Sequence, residues 1–568
     1  MVMLIAVQLW FLLIVGTLAL EISTHCGNVS GIYNQDLSSY AFLGIPYAKS
    51  TAGKQRWKVP EPLTKSDKSC WSGTYTAGQF GPMCPQISII GYPIGDENCL
   101  SLNIWSANTN SMNLLPVMVF IHGGSLVQES SFTPIHLAHK MVRGNKVVSV
   151  SINYRLGPLG FLATESISKA RGGTIDSPSG NYGIMDQILA LQWVNHNIKQ
   201  FGGNPDDITV YGQSSGGTSV LILLSSPLFI SKNPFSNKVH PLFKKAISMS
   251  GSVVIDTPLK VAQSDNHFIV QRTHCKGLPL DKELDCLYEL PASELVKASL
   301  SDTSLYPYWN NATYNSALPL PEIYQPGIAI VDGYVLKDSV LNSLSDSRNP
   351  SSGVPVVVGT MAQELDITTP IDLSAVSHMK LDQYKQFLLN WPSFNEKIVS
   401  EIMNLYQIQD YQNKNDKHLL TFASDIKVAC GNIVASNSIA SVNLSRPVYF
   451  YNSPQSFRDP VLFAPYKTKY AFHLLDLVLL FKLYDMFPTT ITPDIVKCSD
   501  VLFDSFCYFA KHGMMPKDSF WKEFGSIDRE YHANIIHGDG STTTTNFKKS
   551  ECRFYQSLGW DKQWWKGQ

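Results

Sequence analysis

A serine sits between glycines in Gly212-Gln213-Ser214-Ser215-Gly216-Gly217, after the β-branched run at residues 208–211 and before the apolar run at residues 220–224. A strand-to-helix turn of the form G-x-S-x-G is a nucleophile elbow. Its glycines are needed because the tight turn brings neighbouring backbones too close for a Cβ, and its serine oxygen is thrust out at the sheet edge. The chemistry implied is acyl transfer through Ser214. That reaction also needs N–H donors for the oxyanion of its tetrahedral intermediate. A second apolar run ends at Ile121, and His122-Gly123-Gly124-Ser125 follows directly. The amides of Gly124, Ser125 and Ser215 are the expected donors; His122 is tempting as a base, but in such a segment it serves to orient the loop.

These two loops need rigid elements behind them. Short apolar runs recur at residues 116–121, 146–153, 208–211, 246–249, 355–358 and 447–451. Near-continuous runs of this length suit strands buried on both faces of a mostly parallel sheet. Between them the sequence predicts helices, most clearly over residues 184–198, where Ile184, Ile188, Leu191, Val194 and Ile198 form one stripe. Strands alternating with helices argue a doubly wound α/β fold, whose sites gather at the C-terminal ends of its strands. No repeat or low-complexity linker divides the chain, so residues 21–568 are expected to form one large domain with long insertions.

Composition sets the outer limits. The 568 residues are 44% hydrophobic, 11% aromatic and only 16% charged, with 45 Lys plus Arg against 46 Asp plus Glu. This balance leaves no polybasic field for nucleic acid or an anionic membrane, and the aromatic content excludes a disordered chain. Residues 1–20 are almost wholly apolar and read as a cleaved signal peptide, with an uncleaved anchor as the alternative. Apart from that segment, no integral membrane span is expected. Ten cysteines and three glycosylation sequons, at Asn28, Asn311 and Asn443, agree with export to an oxidising compartment. No cysteine pair has zinc-ligand spacing with histidines nearby, so no metal is expected.

The chain resembles the type-B carboxylesterases, the carboxylesterase and cholinesterase-like family of α/β-hydrolases, from about residue 42 to residue 552. The resemblance is carried by FLGIPYA (42–48), ENCLSLNIW (97–105), NYRLGPLGFL (153–162), GNYGIMDQ (180–187) and FGGNPDDITVYGQSSGG (201–217). It implies a triad acid at Glu364, from the pattern G-x-x-x-x-E beginning at Gly359, with Asp366 as its rival. It implies a base at His473, followed by Asp476 and Phe481, although Leu474 and Leu475 replace the family's usual glycine and polar or aromatic residue. It also implies bridges Cys84–Cys99, Cys275–Cys286 and Cys430–Cys552, and ion pairs Arg56–Glu97 and Arg155–Asp186. Cys26 and Cys70 are left as a candidate extra bridge. Cys498 and Cys507, nine residues apart on one expected helix, lie about 13.5 Å from each other and are too distant to pair.

What the resemblance implies about activity is hydrolysis of neutral carboxylic esters, small or lipid, by an acyl-serine route without cofactor. Residues 85–98 hold no tryptophan to bind a quaternary ammonium, Gln213 stands where cholinesterases and many carboxylesterases have glutamate, and residues 365–368 offer no aromatic wall. A cationic choline ester is therefore not the expected substrate. Two competing readings are an adhesion protein that keeps the fold without catalysis, and a lipase acting on longer acyl chains. The sequence leaves the oligomeric state open.

Overall fold

The apolar runs form strands in a computed structural model that describes residues 20–559, apart from 89–90, 108, 110–111, 137, 171–178, 254–255, 302–303, 308–328, 368–372, 392–393, 409–413, 444 and 464–465. Residues 1–19 of the expected signal segment (1–20), the sequon asparagine Asn311 and the extreme C-terminus lie outside these residues. Leu20 opens the first strand.

Thirteen strands share one sheet. In chain order they are β1 (Leu20–Thr24), β2 (Gly27–Asn34), β3 (Ser39–Pro46), β4 (Thr74–Thr76), β5 (Ser101–Ser106), β6 (Leu115–Ile121), β7 (Val148–Ile152), β8 (Gly203–Gln213), β9 (Lys245–Met249), β10 (Val356–Met361), β11 (Val448–Ser453), β12 (His532–Ile535) and β13 (Thr542–Thr545). The spatial order is β1-β2-β3-β5-β7-β6-β8-β9-β10-β11-β12-β13, with β4 beside β2. The stretch from β7 to β12 is parallel throughout. Antiparallel strands flank it on both sides. All six expected strands fall inside this parallel stretch, and β6, β7, β9, β10 and β11 are almost completely buried, as their unbroken apolar runs require.

Two expectations need adjusting. β8 is longer than the run at residues 208–211: Gly203 already pairs with Leu115, and the ladder shifts register before Ile208. The polar residues 204–207 fall in that shifted stretch, which hides it from a hydrophobicity reading. The helix α1 (Tyr182–Asn197) forms as expected, but it is not buried on one stripe alone. Asp186, Gln187 and Gln192 are buried with the apolar residues, because β8, the helix α2 (Ser215–Ser225) and a short helix at residues 157–161 pack around α1. A helix enclosed on all sides loses its amphipathic pattern.

Four disulfides tie loops to this frame: Cys84–Cys99, Cys275–Cys286, Cys430–Cys552 and also Cys26–Cys70, with Cα–Cα distances of 5.0, 5.7, 5.3 and 5.1 Å. Cys498 and Cys507 are unbridged and buried on one helix, Pro493–His512. Both expected ion pairs are present. Arg155 Nη2 lies 2.8 Å from Asp186 Oδ1 with both side chains buried, and Arg56 Nε lies 2.6 Å from Glu97 Oε1. One described helical stretch, Asn415–Val442 (α3), is long and apolar enough to cross a bilayer; 78% of its most apolar window is buried inside the protein, as in a core helix.

Candidate active site

Strands that run parallel end on the same edge of the sheet, and the expected site residues collect there. Ser214 follows the last residue of β8 and caps α2, with φ 60° and ψ −130°, a backbone state that is strained for any residue but glycine. Neighbours hold it. Ser214 N–H donates to Met249 O at 2.9 Å, and Thr218 N–H donates to Ser214 O at 3.0 Å. A Cβ at Gly216 would fall 2.1 Å from Ile121 O, so the elbow can rest on the end of β6 only with glycine there.

The loop after β6 closes over the serine. A Cβ at Gly123 would come within 3.0 Å of Ser214 Cβ, and one at Gly124, where φ is 98°, within 2.3 Å of Gln128 O. Ser125 and Leu126 follow with φ of 57° and 62°, a consecutive left-handed run that folds the loop back on itself. Leu126 N–H donates to Ser215 Oγ at 3.1 Å, which pins this loop to the start of α2. Ser215 opens that helix, where the first N–H groups have no intrahelical acceptor. His122 Nε2 has no hydrogen-bond partner among the described residues, Ser214 included. Its Nδ1 is 2.8 Å from Gly123 O, its ring stacks on Tyr154 at 4.4 Å, and burial pushes its pKa down to about 4. It braces the loop, as expected.

Glu364 and His473 meet from segments 109 residues apart. His473 Nδ1 is 2.5 Å from Glu364 Oε2, and both side chains are buried. Glu364 Oε1 accepts the N–H of Met361, the last residue of β10, at 2.7 Å, so the carboxylate is held from its other side as well. With Glu364 Oε2 accepting a hydrogen bond from Nδ1–H, a neutral His473 presents Nε2 as an acceptor. It lies 3.3 Å from Gln213 Nε2, the residue next to Ser214. Leu474 adopts φ 83°, so the turn keeps a left-handed backbone although leucine stands in the glycine's place.

Asp366, the rival acid, has its described contacts elsewhere. It is not a solvated loop carboxylate: it is 1% exposed, and its Oδ2 accepts the N–H groups of Lys469 and Tyr470. Sequence reasoning named Asp476 only as a motif position. The structure places it under the site, accepting Tyr451 O–H at 2.8 Å, with burial and then the Glu364 charge raising its pKa to about 6. The Tyr451 ring fills the space where a Cβ on Gly359 would be, 1.8 Å from Tyr451 Cε1. The contact of Gln213 with His473 was also missed; only the variation from glutamate pointed to that position. Two further clusters have ligand-like residue types, His25 with Cys26 and Cys70, and His274 with Cys275 and Cys286. Their sulfurs are joined as disulfides and present no thiolate to a metal.

The carboxylesterase family profile matches residues 19–555. Para-nitrobenzyl esterase of Bacillus subtilis (strain 168) is 28% identical over 543 residues, covering 94% of this chain and 97% of that protein. Carboxylesterase 1C of Mus musculus is 32% identical over 443 residues, covering 73% of this chain and 71% of that protein. Among solved structures, a PNB esterase superposes with a TM-score of 0.70 at 26% identity over 94% of this chain and 99% of that one. The chain belongs to the carboxylesterase family, has the α/β-hydrolase fold and is a carboxylic ester hydrolase acting on small-molecule esters.

Proposed function

We propose that the protein is a serine esterase in which Ser214 is the nucleophile, His473 the base and Glu364 the residue that orients it, acting on neutral carboxylic esters. The observation that carries this reading is the Glu364–His473 contact, made beside the Ser214 elbow with Nε2 directed at the neighbouring residue. Ser214 Oγ attacks the ester carbonyl carbon while His473 Nε2 takes its proton, and the carbonyl π pair moves onto oxygen. The amides of Gly124, Ser125 and Ser215 stabilise that oxyanion. Loss of one such donor typically costs about 3–4 kcal/mol. The tetrahedral carbon collapses, the alkoxide leaves with the proton from Nε2, and water repeats the cycle on the acyl-serine. Glu364 holds the tautomer that leaves Nε2 unprotonated and stabilises the imidazolium.

Neutral substrates fit the side chains near the base, where Gln213 places an amide rather than a carboxylate. The relative named a para-nitrobenzyl esterase makes benzyl-type esters reasonable first substrates. Four disulfides are consistent with folding in the secretory pathway. In the proposed reading, residues 1–20 are removed on export, residues 21–568 form the catalytic domain, and Asn28, Asn311 and Asn443 carry glycans.

The test compares wild type with Ser214→Ala on p-nitrophenyl esters from acetate to palmitate. Turnover by wild type with a loss of about 10⁴-fold or more in the variant is expected. A folded wild type no faster than the variant on every ester would reject the triad and favour a binding role. A rate that rises towards palmitate would identify a lipase.

A further inference from the structure

Glu364 touches the imidazole directly, and its neighbours hold the backbone that brings the imidazole there. Gln363 N–H donates to Ala471 O at 3.0 Å, and Ala471 N–H donates to Gln363 Oε1 at 3.3 Å. Two residues past Glu364, Asp366 Oδ2 accepts from Lys469 N–H and Tyr470 N–H, both at 2.6 Å. These peptides lie four and three positions before His473. The segment needs an external hold, because Leu474 just beyond the histidine takes a left-handed backbone that leucine disfavours.

We propose that Asp366 is a positioning residue: by clamping the peptides of Lys469 and Tyr470 it fixes the His473 ring relative to Ser214. This rests on the reading of His473 as the base. Three observations favour such a role over ordinary packing. Both contacts of Asp366 Oδ2 go to this one segment, while Oδ1 is buried with no partner among the described residues. A carboxylate accepting two amides is a charge-assisted arrangement, stiffer than a neutral one. It is also kept in an unfavourable place: burial is the largest influence on the carboxyl and Asp416 adds to it, while the two amides and Lys469 oppose, leaving its pKa at about 6. Asp416, on α3, meanwhile accepts from Lys469 Nζ at 3.1 Å and Tyr470 O–H at 2.9 Å, so the same two residues are held from a second side. Lys417, also on α3, lies over the Tyr470 ring.

Wild type, Asp366→Ala, Asp366→Asn and Asp366→Glu are compared by kcat, KM, thermal unfolding and titration of active serine with a fluorophosphonate. Asp366→Ala is expected to lose about a hundredfold in kcat with little change in KM, the effect of misplacing a reacting group by about 1 Å. Asp366→Asn keeps an oxygen that can accept the same two N–H groups and should recover most of that loss. Asp366→Glu keeps the charge and lengthens the arm by one methylene; it should lower kcat per titrated serine, and it carries the test if the alanine variant does not fold. Wild-type kcat in Asp366→Glu, or a folded Asp366→Asn no faster than Asp366→Ala, would overturn the proposal. Either result beside an active wild type and an inert Ser214→Ala rejects this inference alone. A folded wild type inert on all esters rejects the function it rests on.

Discussion

Gln213 places an uncharged amide against the imidazole of His473. A carboxylate there would attract a positively charged imidazolium more strongly than the amide does. Under the proposed mechanism, the acid limb of the kcat/KM profile of Gln213→Glu should therefore move to higher pH. Activity near pH 6 falls while the alkaline plateau is kept; a pH–rate profile checks this, and an unmoved acid limb would mean that Gln213 does not sense the charge of the base. The residues legible in the sequence are those whose constraint is local. Ser214 could be found because an elbow must carry glycines within two positions of its nucleophile. Asp366 could not be read correctly, because its partners are amides more than a hundred positions away and amides carry no residue signature. At Leu474 the sequence seemed to break a backbone rule, and the structure pays by straining that residue.

Buried contacts between elements decide how those residues are held. Arg155 and Asp186 join the end of β7 to α1, with the carboxylate taking Arg155 Nε, Nη2 and the Arg155 backbone N–H. Removing one partner leaves a charge without compensation, so Asp186→Ala should destabilise by about 3–5 kcal/mol in urea unfolding. The double change Arg155→Met with Asp186→Leu should cost less than the single one; equal or additive losses would show that packing, not the stranded charge, sets the penalty. At this scale the parallel strands were legible because burial on both faces writes an unbroken apolar run. The flanking antiparallel strands were not. The strand β13, Thr542–Thr545, is four threonines with no buried residue, and nothing in its hydrophobicity separates it from a loop.

For the molecule as a whole, cysteine pairing is the feature most open to direct test. Of ten cysteines, four pairs are bridged, and Cys498 and Cys507 are buried with pKa values pushed up by burial to about 12. Native protein without reductant should therefore give essentially no reaction with a thiol reagent at pH 8. Two thiols should appear per chain in denaturant, and mass mapping should place both labels in the helix Pro493–His512. Four or more would mean an open bridge. The pairing Cys26–Cys70 could be raised from the sequence only as what remained after the family bridges were assigned, since connectivity depends on three-dimensional proximity.

The separation of the candidate residues along the chain also sets a timetable. Gln213 and His473, in contact in the folded protein, are 260 positions apart, and Glu364 reaches His473 across 109. On a translating ribosome, at about 5–20 residues per second, the serine elbow emerges some tens of seconds or less before the histidine is made. Throughout that interval the proposed nucleophile exists without its proposed base. Under the proposed mechanism a nascent chain cannot hydrolyse esters in the compartment that builds it, and the activity begins only when the last third of the chain has joined the sheet.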